Sequence, residues 1–297
     1  MSKTLWILSS KYAELFPLKE EKVQESIEIA RKLGIPHRQL FFEDCVLDTH
    51  QEDSETPEKG DAMIVFISRA HFSKDKLLYV LQYFESRGVK LINSTQTIYT
   101  ISDKWLTNVA AAAAGVPVPR TRLITTSKEF VSSELSDFSF PVVAKTPDGS
   151  LGLGVFWCET IEDLTDLVTF SAVQKPLVSS MLVQEAIVAS KGSDVRVIIL
   201  NGRILGAILR KNEAHGFKAN IKQGGKATLY TVDKTLEKYT HTISKIFHLG
   251  FAGLDFLVDD DGKYFLTEVN ADPGFAGFQS VHKDIRLSKE LISELMK

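Results

Sequence analysis

Glu268, Asn270 and Asp272 fall at alternate positions in LTEVNADPGFAGF, a segment that starts at Leu266 and is otherwise apolar enough to be buried. Alternate side chains of a strand share one face, so the segment carries three oxygen-bearing groups together. Upstream, Asp261-Gly262 separates GLDFLVDD from KYFLTEVN and is a dipeptide that suits a type I′ hairpin turn. With those two residues as the loop, Asp255 stands directly opposite Glu268. Cβ atoms of such a pair lie roughly 4.5–5.5 Å apart, and like charges there repel, so a cation is expected between them. Asp255, Glu268 and Asn270, with no His or Cys, form a hard oxygen set of the kind that holds magnesium and leaves positions for water and phosphate oxygens. Calcium is disfavoured because no EF-hand spacing accompanies these residues. The alternative is that Asp255 and Glu268 each pair with a lysine or arginine.

Phosphates held by magnesium also need fixed cations and backbone N–H donors. In VVAKTPDGSLGLGVF, Lys145 ends a strand, and Gly149, Gly152 and Gly154 lead into another. The spacing is neither G-x-G-x-x-G nor G-x-x-x-x-G-K-[ST], and no helix follows, so dinucleotide-binding and P-loop readings fail. A glycine-rich flap from Thr146 to Gly154, folding over a triphosphate, fits the context better; a plain tight turn is the alternative. Lys104 lies in the first turn of its helix, where the dipole disfavours a cation. A phosphate partner would offset that, although a solvated lysine is equally consistent.

The elements that position these residues follow from pattern. KTLWILSS and DAMIVFIS read as strands, and KEEKVQESIEIARKLG and KDKLLYVLQYFESRG as helices closed by Gly34 and Gly88, the rhythm of a small parallel sheet that continues to VKLIN. SDKWLTNVAAAAAGVPVPR reads as one helix with Ser102 as N-cap and Gly115 just past its end, then an extended Val-Pro-Val-Pro connection. FPVVAK, GVFWC and SMLVQEAI read as strands and TIEDLTDLVTF as a helix; DVRVIILNGRILGAILR is a hairpin turning at Asn201-Gly202. On an unbulged version of that hairpin Arg210 pairs with position 193, and Arg196 faces away from it. A helix over LEKYTHTISKIFHLG precedes the final hairpin.

The composition sets limits. With 297 residues, 44% of them hydrophobic, two or three packed units are expected. A net charge of −3 and no basic run argue against a nucleic-acid arm or an anionic-membrane anchor. Cys45 and Cys158 are the two cysteines and lie in unrelated contexts, which gives neither a disulfide framework nor a zinc cluster. The N-terminal apolar run is too short for a signal peptide, and no stretch approaches the ~20 apolar residues of a membrane span. A cytoplasmic protein is expected.

Taken in order and spacing, INSTQTIYTISDKWLTNVAAAAAGVPVPRT, FPVVAKTPDGSLGLGVFW, LVQEAIVASKGSDVRVIILNGRILGAILRK, GFKANIKQGGKA, GLDFLV and LTEVNADPG resemble the ATP-grasp superfamily, specifically RimK-type carboxylate–amine ligases. The resemblance runs from about Leu91 to Val281. It implies an α/β and α+β fold: an N-terminal pre-ATP-grasp α/β domain over residues 1–97, then an ATP-grasp domain over 98–297. That second domain would comprise a lid subdomain over about 122–187 and a core over about 188–297. It also implies ATP and two magnesium ions as cofactors, with manganese able to substitute, and a homo-oligomer.

Residue by residue, the resemblance implies that Lys104, Lys145 and Gly152 contact ATP phosphates. Gln184, Glu185, Ala186 and Ile187 form the hinge against the adenine edge, with Glu185 and Asp194 as nucleotide-side carboxylates. Lys218 falls on the ATP side, Arg196, Arg210 and Asn220 serve the acyl-phosphate and acceptor region, and Asp255, Glu268 and Asn270 are the magnesium ligands. Lys218-Ala219-Asn220 stands where the family has Arg-Ser-Asn, and Gln223 where an arginine is common, which weakens a bidentate carboxylate clamp. That departure bears on glutamate as substrate and leaves the ATP chemistry untouched. His215 lies close to the same stretch and reads more readily as a surface histidine than as a substrate contact.

The activity implied is transfer of the γ-phosphoryl group to a carboxylate, then attack on the acyl phosphate by an amine of an amino acid, peptide or protein, with no covalent enzyme nucleophile. An ATP-grasp kinase acting on a hydroxyl, or a non-catalytic ATP-binding module, would use the same nucleotide residues.

Overall fold

The structure, a computed structural model, describes residues 3–12, 17–50, 55–67, 74–126, 135–148, 154–174, 179–212 and 225–297. Its first sheet is parallel: β1 (Leu5–Ser9), β2 (His37–Phe41), β3 (Ala62–Val65) and β4 (Lys90–Leu91), in the order β2-β1-β3-β4. Strand β1 is buried along its whole length, and three of the four residues of β3 are buried, as expected of parallel strands covered on both faces. Helices α1 (Pro17–Lys32) and α2 (Lys74–Ser86) end at Gly34 and Gly88, whose φ values are 67° and 84°. Helix α3 (Thr95–Ile101) and helix α4 (Lys104–Ala113) follow.

The single helix expected after Ser102 is α4, which ends just before Gly115 as expected, but its N-cap is Asp103 and not Ser102. Ser102 is the C-cap of α3, its N–H bonded to the Ile98 carbonyl. Asp103 is the N-cap of α4, accepting from the N–H groups of Trp105 at 2.8 Å and Leu106 at 3.0 Å.

The second sheet contains β5 (Thr121–Thr126), β6 (Val142–Lys145), β7 (Val155–Cys158) and β8 (Ser179–Glu185), with α5 (Ile161–Gln174) before β8. Its order is β5-β8-β6-β7, and its pairings are antiparallel. The third sheet, in the order β11-β10-β9-β12-β13, is built from β9 (Ser193–Leu200), β10 (Arg203–Asn212), β11 (Gly225–Tyr230), β12 (Phe251–Val258) and β13 (Tyr264–Asn270). Helix α6 (Lys234–Ile246) precedes β12; α7 (Ala276–Val281) and α8 (Leu287–Leu295) end the chain, and α8 packs on α1 beneath the first sheet.

Asn93, buried just past β4, joins the first sheet to β12. Its amide donates to the Phe251 carbonyl at 2.7 Å and accepts from the N–H groups of Gly250 at 2.9 Å and Phe251 at 3.1 Å. A Cβ on Gly250 would lie 1.7 Å from the Ile92 carbonyl oxygen, so the two backbones touch. Asn93→Ala orphans three backbone groups at a site water does not reach and is expected to lower unfolding free energy by about 3 kcal/mol. Denaturant unfolding checks this; a change below about 1 kcal/mol would mean the groups find other partners.

Candidate active site

Two β-bulges bring the ionisable residues of the third sheet onto one face. The Asn201-Gly202 turn is type I′ as expected, with φ of 45° and 77°. Leu200 then pairs with Arg203 and Ile199 with Ile204, but beyond Leu205 the register shifts, so that Ile198 pairs with Gly206 and Asp194 with Arg210. Before the bulge Ile204 packs into the core under α6; after it Ala207 and Leu209 take that side, and Arg210 turns to the other. Arg196 lies two residues from Asp194 and opposite Asp255. The expectation that Arg196 faces away from Arg210 is therefore corrected: the bulge puts both arginines on one face.

The second bulge lies in β13. The last hairpin is not the expected two-residue type I′ turn: Gly262 has φ 78° while Asp261 does not take positive φ, and Asp259 and Lys263 bond across a three-residue loop. That loop shifts the register by one residue. A bulge at Thr267, whose hydroxyl donates to the Asp255 carbonyl at 3.1 Å, shifts it back. Asp255 consequently does oppose Glu268, and Glu268 and Asn270 point away from the core that takes Leu266 and Val269.

On the resulting face, Arg196 grips Asp255 with Nε to Oδ1 and Nη2 to Oδ2, both 2.6 Å. Arg210 grips Asp194 in the same way, both bonds again 2.6 Å, and its Nη2 also reaches Asp255 Oδ2 at 3.0 Å. Asn270 Nδ2 donates to the same oxygen at 3.1 Å. Two carboxylates and two guanidinium groups thus balance in a buried cluster. Burial, the largest influence on Asp255, acts to raise its pKa, but Arg196 and Arg210 overcome it and hold the carboxyl below its ordinary range. For Asp194, burial reinforced by the charge of Asp255 outweighs Arg210 and raises the pKa.

Beside this cluster a cleft partly open to solvent lies between the second and third sheets. Lys104, Lys145, Asp194 and Glu268 line it, as do the consecutive residues Gln184, Glu185, Ala186 and Ile187. Lys145 is buried and donates to Gln184 Oε1 at 2.9 Å; Gln184 in turn donates to Thr121 Oγ1 at 2.7 Å. Among the described residues Lys145 forms no ion pair. Burial, with the neighbouring charge of Lys104, pushes its pKa down to about 8. Lys104 Nζ lies 3.6 Å from Glu268 Oε1, and its backbone N–H bonds to the Pro147 carbonyl in the loop after β6. The Glu185 carboxylate instead accepts from the Ser139 N–H at 3.1 Å and sits 3.4 Å from Arg120. Glu185 thus lines the cleft with its charge engaged by the Ser139 N–H and Arg120.

The oxygen set suits a hard divalent cation by its donor chemistry. Asn270 uses its amide N–H on Asp255, which leaves its carbonyl oxygen to accept. Oδ2 of Asp255 takes three donors, but Oδ1 takes one and keeps a lone pair. Asp255 is buried, and Glu268 and Asn270 are partly exposed. Among the described residues no cluster of three His, Cys, Asp or Glu side chains could hold a metal by itself. Gly152, Lys218 and Asn220 lie outside the described residues, as do His215, Gln223 and most of the expected flap.

The model of the RimK-like ATP-grasp domain matches residues 101–295. The chain belongs to this family. It is 28% identical over 228 residues to N-acetylaspartylglutamate synthase A of Mus musculus, covering 76% of this chain and 59% of that protein. It is 30% identical over 204 residues to a probable alpha-L-glutamate ligase of Haemophilus ducreyi, covering 69% of this chain and 65% of that one. The chain therefore spans less than two thirds of these relatives. Among solved structures, the ATP-grasp ligase PsnB, complexed with a phosphomimetic variant of its minimal precursor, Mg and ADP, superposes with a TM-score of 0.74 at 17% identity, over 99% of this chain and 98% of that one. That likeness establishes the ATP-grasp fold. No helix among the described residues is long and apolar enough to cross a membrane.

The sequence reading missed Trp157 and Lys191, which line the same cleft with the Lys191 ammonium 4.2 Å from the Trp157 ring centre. It also missed Lys22, a buried residue of α1 that donates to Asp272 Oδ1 at 2.5 Å and to the Pro273 carbonyl at 2.7 Å. A lysine on a helix otherwise rich in charge carries no local signal of burial.

Proposed function

We propose that the protein is an ATP- and magnesium-dependent ligase that activates a carboxylate as an acyl phosphate and joins it to an amine, releasing ADP and phosphate. The observation that carries this reading is the buried ammonium of Lys145. It is held by the neutral Gln184 amide next to a second lysine, in a cleft that ends at the carboxylate of Glu268. Such a group is stabilised by an incoming anion, and the triphosphate of a nucleotide supplies one. The family's ligases, and a structural relative solved with Mg and ADP, support the same reading.

In this proposal Lys104 and Lys145 bind phosphate oxygens. The backbone at Ala186 and Ile187 meets the adenine edge, and Asp194 closes the cleft beside it. Magnesium, held by Glu268, Asn270 and Oδ1 of Asp255, would supply charge neutralisation as the γ-phosphoryl group moves. The substrate carboxylate oxygen displaces ADP at phosphorus. The amine then attacks the acyl carbon, the C–O bond to phosphate breaks, and the amine proton leaves to solvent. Arg210, with Arg196 beside it, is placed to stabilise the oxyanion on that carbon. Their carboxylate partners hold both guanidinium groups in fixed orientation. The names of the relatives make glutamate the first amine to test, with amino acids and small peptides as donors.

Incubation with ATP, magnesium, those donors and hydroxylamine is expected to give ADP and a hydroxamate whose mass identifies the donor. ADP with a phosphorylated hydroxyl compound and no hydroxamate would replace the ligase with a kinase.

A further inference from the structure

The bulge that turns Arg210 onto the site face is held by a residue outside the site. His282, just past α7, presents its Nε2 to the Ala207 carbonyl at 3.0 Å, and since a carbonyl can only accept, Nε2 carries the proton. Its ring stacks on Phe278, centroids 4.3 Å apart and planes 21° apart, and Phe278 is fully buried. The ring also fills the space a side chain at position 206 would need. A Cβ on Gly206 would lie 2.6 Å from Cε1 and 2.8 Å from Nε2, and the Gly206 φ of 154° is one L side chains rarely adopt. Glycine inside a strand is accordingly the mark of this bulge.

We propose that His282 and Gly206 are positioning residues that lock the β9–β10 register and so place Arg210 opposite Asp194. A one-residue slip reverses the face of every side chain in a strand. Without the bulge Arg210 would stand opposite Ser193 and point, in step with Ile204, towards the α6 side of the sheet. Asp194 would then lose its partner. Arg196 is the internal control: it lies on β9, and its bonds to Asp255 do not depend on the β10 register. The placement of Arg210 holds whatever the reaction; its kinetic consequence rests on the ligase reading.

The test uses the full chain with His282→Ala, His282→Phe, which keeps an aromatic ring on Phe278 but removes the donor, and His282→Gln, whose amide can replace it. The primary readout is the ¹⁵N–¹H signal of the arginine Nε groups, assigned with Arg210→Lys. The Ala and Phe variants are expected to lose the exchange protection of Arg210 Nε while Arg196 Nε keeps its own, and the Gln variant to restore it. In ADP-forming turnover the same two variants should show kcat reduced about tenfold, with KM for ATP within about twofold. Should the Ala variant fold poorly, the Phe variant carries the comparison. An Arg210 signal unchanged in the Phe variant overturns the proposal, as does loss of both arginine signals together, which a general loosening would produce. If no donor acid supports turnover, the ligase reading fails while the arginine signals still decide the register lock.

Discussion

Glu268→Gln is expected to reduce ATP-dependent turnover about a thousandfold while the melting temperature stays within about 2 °C. The side chain is partly exposed, and its contact with Lys104 is a 3.6 Å ion pair beyond hydrogen-bond length, so its loss costs little folding energy. Its charge faces the two cleft lysines and, with Asn270, is the partly exposed part of the oxygen set beside the buried Asp255. Removing it withdraws the negative charge that would face a divalent cation. It also withdraws the group that raises the Lys145 pKa, so Lys145 should titrate at lower pH in this variant. Steady-state turnover with thermal melting checks both parts; near-normal turnover would remove Glu268 from the metal set.

Lys145→Met is expected to weaken ATP binding about a hundredfold, since it removes a desolvated cation from the phosphate site. The wild-type protein adds a pH signature. The free-protein pKa of Lys145 is pushed down to about 8, chiefly by burial and then by Lys104. Bound phosphate favours the protonated form and so raises that pKa. Affinity should therefore be level below about pH 8, where the lysine is already charged, and fall towards tenfold per pH unit above it, where binding must also take up a proton. Titration calorimetry at pH 9 in buffers of different ionisation enthalpy should detect uptake approaching one proton. The Met variant should lack that uptake and the break in the affinity profile. A wild-type affinity level through pH 9.5 would contradict the placement of Lys145 on the phosphates.

The pairing of Asp255 with Glu268 was legible in the sequence for a reason only partly correct. The loop is one residue longer than Asp261-Gly262 implies, and the bulge at Thr267 compensates. No such compensation rescued Arg196: the bulge after Ile204 was signalled by Gly206 inside an otherwise regular strand, but its consequence for facing depends on His282, 76 positions away in sequence, filling the space beside it. The buried strands β1 and β3 and the Gly-ended helices were plain from apolar runs and end signals. Strand β2 was not, because His37, Arg38 and Gln39 give it no apolar alternation. The N-cap of α4 was misplaced by one residue because Ser102 and Asp103 can both cap a helix. The shared arginines of Asp194 and Asp255 were illegible locally, because burial and register across three strands decide which charges meet.

The ligase reading is tested most directly by following oxygen from the donor acid. With donor carboxylates labelled by ¹⁸O, ATP, magnesium and glutamate, an acyl-phosphate route transfers one labelled oxygen to the phosphate released on amine attack. Mass spectrometry of that phosphate is expected to show one ¹⁸O per product amide formed. Amide formation with unlabelled phosphate, or phosphate release with no amide and no label, would contradict carboxylate activation in this cleft.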